Sequence, residues 1–263
     1  MPFDMIGFAE ATPGTGLVNI AAGLNDTLYK YNDDDIVLKS GPAYLLGAFY
    51  SAVSTPDNYR FRQPSLMTDH QLIKGMLEAD VDPIWGYTHL FGRPLPLVGG
   101  EKLNALSQNA TDETTLIGAI VGNAPITQSM LDSVRPTHSI IGDGDTTVTA
   151  NTWSAVPMTW DQDLPKGAYA IVGMKFGYYI ASGPLAALAR IVIPGNTDWR
   201  PGVPGTLMGG AHCELYDASY LPCWHWPLMS KIVFPFGNTP NIEVLSNAAL
   251  TDETVELLLQ KVA

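Results

Sequence analysis

The segment DQDLPKGAYAIVGMKF at residues 161–176 matches the segment DIVLKSGPAYLLGAFY at residues 35–50, with an offset of 126 residues. In each segment a polar turn rich in glycine and proline leads into a short apolar run, which is typical of a buried strand. A glycine inside each run predicts a β-bulge or a close approach of two backbones. The identical positions are Asp35/Asp161, Leu38/Leu164, Gly41/Gly167 and Gly47/Gly173.

Three further pairs of similar segments follow in the same order along the chain. Their offsets are 130, 142 and 140 residues, a slow drift of the kind that insertions in loops produce. The four pairs together indicate a tandem duplication. A polar stretch with Pro136 and two glycines lies between the repeats, so we predict two domains, residues 1–135 and 136–263. The three further pairs are RFRQP (60–64) with RIVIP (190–194), EKL (101–103) with EVL (243–245), and TDET at 111–114 and 251–254.

The remaining patterns within each repeat are mostly those of strands. The runs 168–176 and 187–193 are short, apolar and bounded by glycine or proline, as buried strands are. The Thr-rich, alternating segment 146–154 predicts a half-buried strand. Strands that recur between closely spaced turns favour a β-sandwich or barrel.

Two segments predict short helices. Thr251 is a suitable N-cap, and Asp252 and Glu253 would lie in the first turn. An apolar stripe at helical spacing follows, and the matching segment from residue 111 carries a second one. The sequence therefore predicts an all-β protein of two tandem jelly-roll or β-sandwich units, each with a short helix. The two stripes are Val255, Leu258, Leu259 and Val262, and Leu116, Ile117, Ile120 and Val121.

Composition and charge exclude several classes of protein. The chain has 263 residues, of which 46% are hydrophobic and 15% charged, and its formal net charge is −12. A chain so poor in charge is not disordered, and its acidic balance disfavours direct binding to nucleic acid or to an anionic membrane. The first residues lack the pattern of a signal peptide, and no uninterrupted apolar stretch is long enough for a membrane span. We therefore expect a soluble protein made in the cytoplasm.

Catalytic signatures are absent from the sequence, so we predict no enzyme, no catalytic residue and no cofactor. It has no nucleophile-elbow, zincin, P-loop or dinucleotide-binding motif. The two cysteines with two histidines have ligand types that suit zinc but not the usual tight spacing, and two groups of acidic residues could offer oxygen ligands to calcium without matching an EF-hand. We assign no metal site to either set. The candidates are His212, Cys213, Cys223 and His225 for zinc, and Asp143 with Asp145, or Asp33, Asp34 and Asp35, for calcium.

Two aromatic clusters are candidates for contact surfaces. Trp85 and Tyr87 flank a glycine, and Trp224 and Trp226 flank His225. Such residues could stack on a sugar ring, but in a sandwich they more often anchor the core or a subunit contact.

The openings of the two repeats resemble a known family. The run DLPKGAYAIVGMKFG (163–177) is followed by ALARIVIPGNTDWRPG (187–202), and its counterpart in the first repeat is VLKSGPAYLLGAFYS (37–51). An Asp-Leu-Pro turn into an apolar strand, and then a second strand ending near a Trp, resembles the start of one jelly roll in the double jelly-roll major capsid proteins of tailless icosahedral viruses. Two sandwich units without a catalytic motif are similar to that family in organisation.

This resemblance implies a major capsid (coat) subunit located in the virion and synthesised in the host cytoplasm. In that family two barrels stand side by side, and three chains form a pseudo-hexagonal capsomer of an icosahedral shell. The implied partners are further copies of this chain as a homotrimer, other capsid proteins such as a vertex protein, and an internal membrane layer, with no direct contact to nucleic acid. We expect assembly to bury apolar surface and the Gly/Pro-rich segment 195–210 to lie in inter-subunit contacts.

Two other functions fit the sequence. One is a carbohydrate-binding β-sandwich module, such as a viral spike or accessory protein, with the tryptophans as its platform. The other is an enzyme on a β-sandwich or cupin-like barrel, with a metal on His212, Cys213, Cys223 and His225.

Overall fold

The computed structural model of this chain describes residues 3–26, 34–52, 58–73, 84–90, 93–109, 114–127, 129, 135–179, 186–195, 199–207, 224–225, 233–235 and 240–262. Within these ranges the secondary-structure elements with defined ends are 21 strands. The prediction of an all-β protein is therefore confirmed.

The strands that correspond to the two apolar runs at 168–176 and 187–193 are present as β14 and β15. In chain order the strands are β1 (Phe3–Glu10), β2 (Gly16–Ile20), β3 (Ile36–Val37), β4 (Pro42–Ala52), β5 (Asn58–Arg62), β6 (His70–Ile73), β7 (Ile84–His89), β8 (Leu95–Val98), β9 (Lys102–Asn109), β10 (Thr115–Gly122), β11 (His138–Gly144), β12 (Ser154–Val156), β13 (Met158–Trp160), β14 (Ala168–Tyr179), β15 (Ala187–Val192), β16 (Gly202–Pro204), β17 (Thr206–Leu207), β18 (Trp224–His225), β19 (Val233–Pro235), β20 (Asn241–Ser246) and β21 (Thr251–Lys261).

The strands β1 to β10 form two antiparallel sheets. The first has the order β1-β10-β4-β7, with β8 also paired to β4. The second has the order β2-β9-β5-β6, with β3 also paired to β9. The two sheets enclose one buried apolar cluster, to which β1, β4, β5, β9 and β10 all contribute. This arrangement is sandwich-like.

The strands β11 to β21 form a second pair of sheets with a similar order. One sheet runs β13-β11-β21-β14-β17, with β18 and β19 also paired to β14, and only the short β17 pairs in parallel. The other runs β12-β20-β15-β16. The order β1-β10-β4 thus has a counterpart in β11-β21-β14, and β2-β9-β5-β6 has one in β12-β20-β15-β16. Among the described residues, no sheet combines strands from the two halves of the chain.

The bulges predicted at the two repeated glycines are confirmed. On β4, Gly47 lies opposite Ile120 and Leu45 opposite Val121, so Leu46 is an extra residue. On β14 the register moves from Ile171 directly to Gly173, so Val172 is extra in the same way. Both bulges lie immediately before the glycine that the repeat places there.

The helix predicted from Thr251 is wrong, because this segment is strand β21. Its burial alternates, with Val255, Leu257 and Leu259 inside and their neighbours half-exposed. The run of three leucines satisfies helical spacing by chance, since a run without polar interruptions fits both periods. The segment is a strand because it pairs with β11 on one side and with β14 on the other. These pairings satisfy its backbone N–H and C=O groups, which a helix would have bonded within the segment.

The matching helix predicted from residue 111 is also wrong in its described part, where strand β10 runs from Thr115 to Gly122. Every residue of β10 is buried. A strand covered on both faces appears in the sequence as a continuous apolar run, which periodicity alone does not separate from a buried helix.

The strand predicted at 146–154 is wrong as well. Val148 and Thr152 form single bridges, the chain turns at residues 150–151, and only the last residue of the predicted segment, Ser154, belongs to a strand, β12. Asn151 has a φ of 57°, a left-handed conformation that asparagine tolerates better than most residues. The Ser154 hydroxyl accepts the Thr149 N–H at 3.2 Å, so side-chain hydrogen bonds replace those of a ladder.

Candidate functional site at the interface between the halves

The two halves of the chain meet where the sheet that contains β1 and β10 packs on the sheet that contains β15 and β20. Alternate residues of β1 face opposite ways, as in any strand. Ile6 and Phe8 belong to the apolar cluster inside the first half. Phe3 and Met5 belong instead to a cluster shared with the second half. We call this contact the inter-half interface.

Two paired glycines allow the sheets to approach closely at the centre of the inter-half interface. Gly7 on β1 lies directly opposite Gly118 on β10. A Cβ on Gly118 would lie 2.9 Å from both Cδ atoms of Leu188, and one on Gly7 would overlap Cδ2 of Leu245. The glycine pair therefore leaves the space into which leucines of β15 and β20 pack.

A buried arginine joins the halves next to these leucines. Arg190 on β15 is 0% exposed and donates from Nη1 to Oδ2 of Asp26 at 3.1 Å, and Asp26 belongs to the first half. Its Nε donates to Oε2 of Glu243 at 2.7 Å, and its guanidinium lies 3.9 Å from the ring centroid of Trp153. A charge removed from water is tolerated only when it is paired and hydrogen-bonded, and Arg190 meets both conditions.

The network of charges continues to the edge of the interface. Arg200 donates from Nη1 to both carboxylate oxygens of Glu243, at 2.7 and 2.6 Å. Its backbone N–H donates to Oδ1 of Asp4 at 2.6 Å, while Oδ2 of Asp4 accepts from Lys39 Nζ at 3.2 Å. Lys39 also lies over the ring of Trp199, at 3.5 Å from the centroid. Acidic and basic groups thus alternate from one half to the other.

Backbone hydrogen bonds link the halves in addition to the side chains. The Met5 N–H donates to the Arg200 carbonyl at 2.9 Å. Leu24 and Trp153 bond across the interface too, since Trp153 N–H donates to the Leu24 carbonyl at 2.9 Å. Leucines seated on glycines, a buried ion pair and backbone bonds together fix one orientation of the halves.

A cleft of about 430 Å³ lies at one edge of this interface. Residues of the first half form most of its wall, and Trp199 comes from the second half. Its polar groups include Asp4 and Lys39, which already pair with each other. The part of the segment 195–210 that the structure describes therefore contacts the other half of the same chain, and its role between subunits stays a prediction.

The residues considered for metal binding fall in different places. His212, Cys213 and Cys223 lie outside the described residues, and His225 is described only as part of strand β18. Asp143 on β11 accepts a hydrogen bond from the Thr254 hydroxyl at 3.0 Å, and Asp145 is exposed on the following loop. Within the described ranges no three His, Cys, Asp or Glu side chains are grouped so that they could hold a metal ion.

The other candidates behave as ordinary structural residues where they are described. Asp35 pairs with Lys102, with Oδ2 and Nζ 2.7 Å apart, and it also accepts from Asn104. Asp33 lies outside the described residues. The side chains of Trp85, Tyr87 and Trp224, and all of Trp226, lie outside them too, so the predicted aromatic platform stays a prediction.

Sequence reasoning finds Arg190 only as a repeat position and misses its role at the interface. The available signal is a single charge inside the apolar run ALARIVI. A charge in a buried strand requires a partner, but the sequence does not say which of 26 acidic residues supplies it.

Comparison with known proteins adds no assignment to this geometry. No protein-family model matches the chain, and a search of curated proteins finds no significant match. Within the described part of the chain, we also find no helix with the length and apolar character that a membrane span requires.

Proposed function

We propose that this protein is a viral structural protein, the major capsid subunit of an icosahedral shell, built from two tandem jelly-roll units. In this proposal three copies form a capsomer with six units around its axis. The subunit acts by assembly, with further copies of itself, a vertex protein and an internal membrane layer as its partners. The net charge of −12 favours a coat that does not contact the genome directly.

The repeated strand order is the observation that carries the proposal. Leaving out the short β3 and β8, one sheet of the first half joins its first, eighth, third and sixth strands, and the other joins its second, seventh, fourth and fifth. That order is what two interleaved Greek keys produce in an eight-stranded jelly roll. When the short β13 and β17 are left out, the second half has the same order, with β11, β21, β14 and β18 or β19 in one sheet and β12, β20, β15 and β16 in the other.

Equivalent details in the two halves support an origin by duplication. The bulges at Leu46 and Val172 are separated by the same 126 residues as the repeated segments. Arg60 and Arg190 both lie on the fourth strand of the jelly-roll order, β5 and β15. The boundary that we propose, after residue 135, falls between the end of β10 and the start of β11.

The inter-half interface supports association between copies. In the first half, the outer face of the β1-β10-β4 sheet is covered by the β12-β20-β15 sheet of the second half. If the same contact recurs between copies, the outer face of β11-β21-β14 covers the β2-β9-β5 sheet of the next copy. A head-to-tail contact of this kind closes into a ring when its rotation allows it.

The two faces that would then meet have matching properties. Among the described residues, both faces expose a large apolar side chain, Ile141 at 44% on β11 and Leu17 at 43% on β2. The first face carries the carboxylate of Asp143, and the second carries the guanidinium of Arg60. An exposed apolar residue on each face, accompanied by charges of opposite sign, is typical of protein interfaces.

Substitution on these two faces tests the proposed function. We expect the purified chain to form trimers, and Ile141→Asp or Leu17→Asp to shift it toward monomer by at least tenfold in dissociation constant. Met67→Asp is the control, because Met67 is fully exposed between β5 and β6 and lies on neither face. Trimers that survive both interface changes would contradict the assignment of faces. A wild-type chain that stays monomeric would overturn the proposed function.

A further inference from the structure

Glu253 is a buried carboxyl group whose oxygens have no hydrogen-bond partner among the described residues. It lies near the start of β21 and is 0% exposed. Neither Oε1 nor Oε2 receives a hydrogen bond from another described residue. Its cross-strand neighbours are Gly144 on β11 and Tyr178 on β14. A carboxylate without a partner is among the most unfavourable groups to bury, so this position calls for a physical account.

A bulge in β21 directs Glu253 inward. The register moves from Glu253 opposite Tyr178 to Thr251 opposite Tyr179, so Asp252 is an extra residue. Asp252 has a φ of 64°, a left-handed conformation that is strained for a residue with a Cβ. Bulges of this kind re-aim the side chains beside them. Here the backbone is distorted at the residue that precedes the buried acid.

The neighbouring strand leaves room for the carboxyl group. A Cβ on Gly144 would lie 3.1 Å from Oε2 of Glu253 and would overlap Cγ1 of Val156. The glycine therefore provides the space that the Glu253 side chain occupies. On the other side of Glu253, Tyr178 is fully buried as well.

The charges around Glu253 all oppose its ionisation. Burial is the main reason that the pKa of Glu253 is raised to about 7, and the negative charges of Asp252 and Asp145 act in the same direction. Only its own backbone N–H opposes this effect. Tyr178 remains neutral, because burial raises its pKa well above the ordinary value. No lysine, arginine or histidine within the described part of the chain forms an ion pair with Glu253.

We propose that Glu253 is a protonation-dependent lock at this end of the second half. The neutral carboxyl group stays inside and keeps the start of β21 paired with β11 and β14. When the proton leaves, the carboxylate has no partner inside, and the segment 251–253 turns toward solvent. Thr251 and Asp252 are already exposed, so this movement needs little rearrangement of the core. The proposal concerns the single chain and does not depend on the proposed shell.

The sign of the pH dependence follows from the direction of the pKa shift. In the unfolded chain Glu253 would ionise near its ordinary value of 4.5, whereas in the folded chain it ionises at about 7. We call the state with Glu253 inside closed and the state with the segment 251–253 turned toward solvent open. The stability of the closed state is fully present below pH 4.5 and is lost as the pH rises through about 7. Between these two pKa values the ratio of closed to open states is expected to fall about tenfold per pH unit, and above about pH 7 it stays constant because Glu253 is then ionised in both states.

Hydrogen exchange resolved by residue tests the lock. We would compare the amides of Gly144, Tyr178 and Val255 at pH 6 and pH 8.5, after correction for intrinsic exchange, in the wild type and in Glu253→Gln. Glutamine has nearly the same shape and cannot ionise. Glu256→Gln is the matched control, because Glu256 lies on the outer face of the same strand and pairs with Lys175 at 3.5 Å.

We expect wild-type protection at these amides to fall about tenfold between the two pH values, and the Glu256→Gln variant to behave in the same way. Glu253→Gln should show no such change. Equal pH dependence in the wild type and Glu253→Gln would overturn the proposal. If Glu253→Gln does not fold, infrared titration of the wild-type carboxyl groups decides instead, and the absence of a group that ionises near pH 7 would contradict the lock. Both readouts use the chain in whatever oligomer it forms, so failure of the lock leaves the proposed assembly untouched.

Discussion

Arg190 and Asp26 are 164 residues apart in the sequence, yet their side chains are hydrogen-bonded and fully buried at the contact between the two halves. The ring of Trp153 covers one face of the Arg190 guanidinium, and Glu243 accepts a hydrogen bond from Arg190 Nε. Because Asp26 and Arg190 belong to different halves, this pair can form only when both halves are folded and in register. It therefore couples the two halves into one structural unit.

Replacing Arg190 with methionine is expected to destabilise the protein strongly. The change removes the guanidinium from the buried carboxylate of Asp26, and breaking a buried ion pair from one side costs about 3–5 kcal/mol. The measurement is the free energy of unfolding in urea. The double change Arg190→Met with Asp26→Leu should recover much of the loss, since no charge then stays unpaired. If the single change costs less than about 1 kcal/mol, which is typical of exposed pairs, the pair does not couple the halves.

Gly118 and Leu188 are expected to show an interaction energy although they lie in different halves. Gly118→Ala places a Cβ against Leu188 and should cost about 1–3 kcal/mol through overpacking. Leu188→Ala should cost about 2–5 kcal/mol through the cavity that it leaves. The double variant should be more stable than the sum predicts by about 0.5–3 kcal/mol, because the added methyl group fills part of that cavity. A double-mutant cycle checks this, and strict additivity would show that the two strands are not in contact.

Substitutions at Asp252 separate two contributions to stability at the bulge, the strain of its left-handed backbone and the effect of its negative charge. Asp252→Gly should stabilise the protein by about 1 kcal/mol, because glycine adopts a φ of 64° without a steric cost. Asp252→Asn removes the charge but keeps a side chain, so it reports the electrostatic part alone. Asp252→Val should destabilise by about 1–3 kcal/mol. Thermal unfolding at pH 6 ranks the three variants, and a Val variant as stable as the Gly variant would contradict the conformation at this residue.

The exposed ion pair of Arg62 and Asp69 is expected to contribute little to the free energy of unfolding, and to contribute it only above the acidic pH range. Two hydrogen bonds, of 3.0 and 2.9 Å, join the guanidinium to the carboxylate. Hydrogen bonding from Arg62 lowers the pKa of Asp69 below its ordinary 3.8. The stability that it contributes is thus present above pH 3.8 and is lost as the pH falls through the lowered value. Asp69→Asn should cost less than about 1 kcal/mol at pH 7, because solvent screens the pair, and it should cost less at pH 2 than at pH 7. The free energy of unfolding of the wild type and the variant, measured at both pH values, checks this. A larger destabilisation at pH 2 than at pH 7 would contradict the expected pH dependence.

The strands and bulges with strong local signals could be predicted from the sequence. Gly47 and Gly173 indicate both bulges, because a glycine weakens the interior of a strand and is typical of places where the ladder is irregular. The helices predicted from residue 111 and from Thr251 are wrong, where the structure describes these segments, for one physical reason. A strand that is buried on both faces, or that carries consecutive leucines, loses the alternation that distinguishes it from a helix, and only its pairing with neighbouring strands decides.

The interface between the halves could not be predicted from the sequence. Its parts are ordinary residues, a glycine pair, two leucines and one ion pair, and they acquire a role only through the strand order that brings them together. Gly7 and Gly118 lie in segments without any motif. The local pattern places Glu253 at a helix start, where an acidic residue is favoured, whereas its burial follows from the bulge at Asp252, which no local pattern indicates.

The mass of the purified native chain, measured by light scattering with negative-stain images of the same fraction, tests the central claim most directly. We expect stable trimers of three times 28.4 kDa, or shells assembled from pseudo-hexagonal units. A chain that stays a 28.4 kDa monomer at high concentration would contradict it.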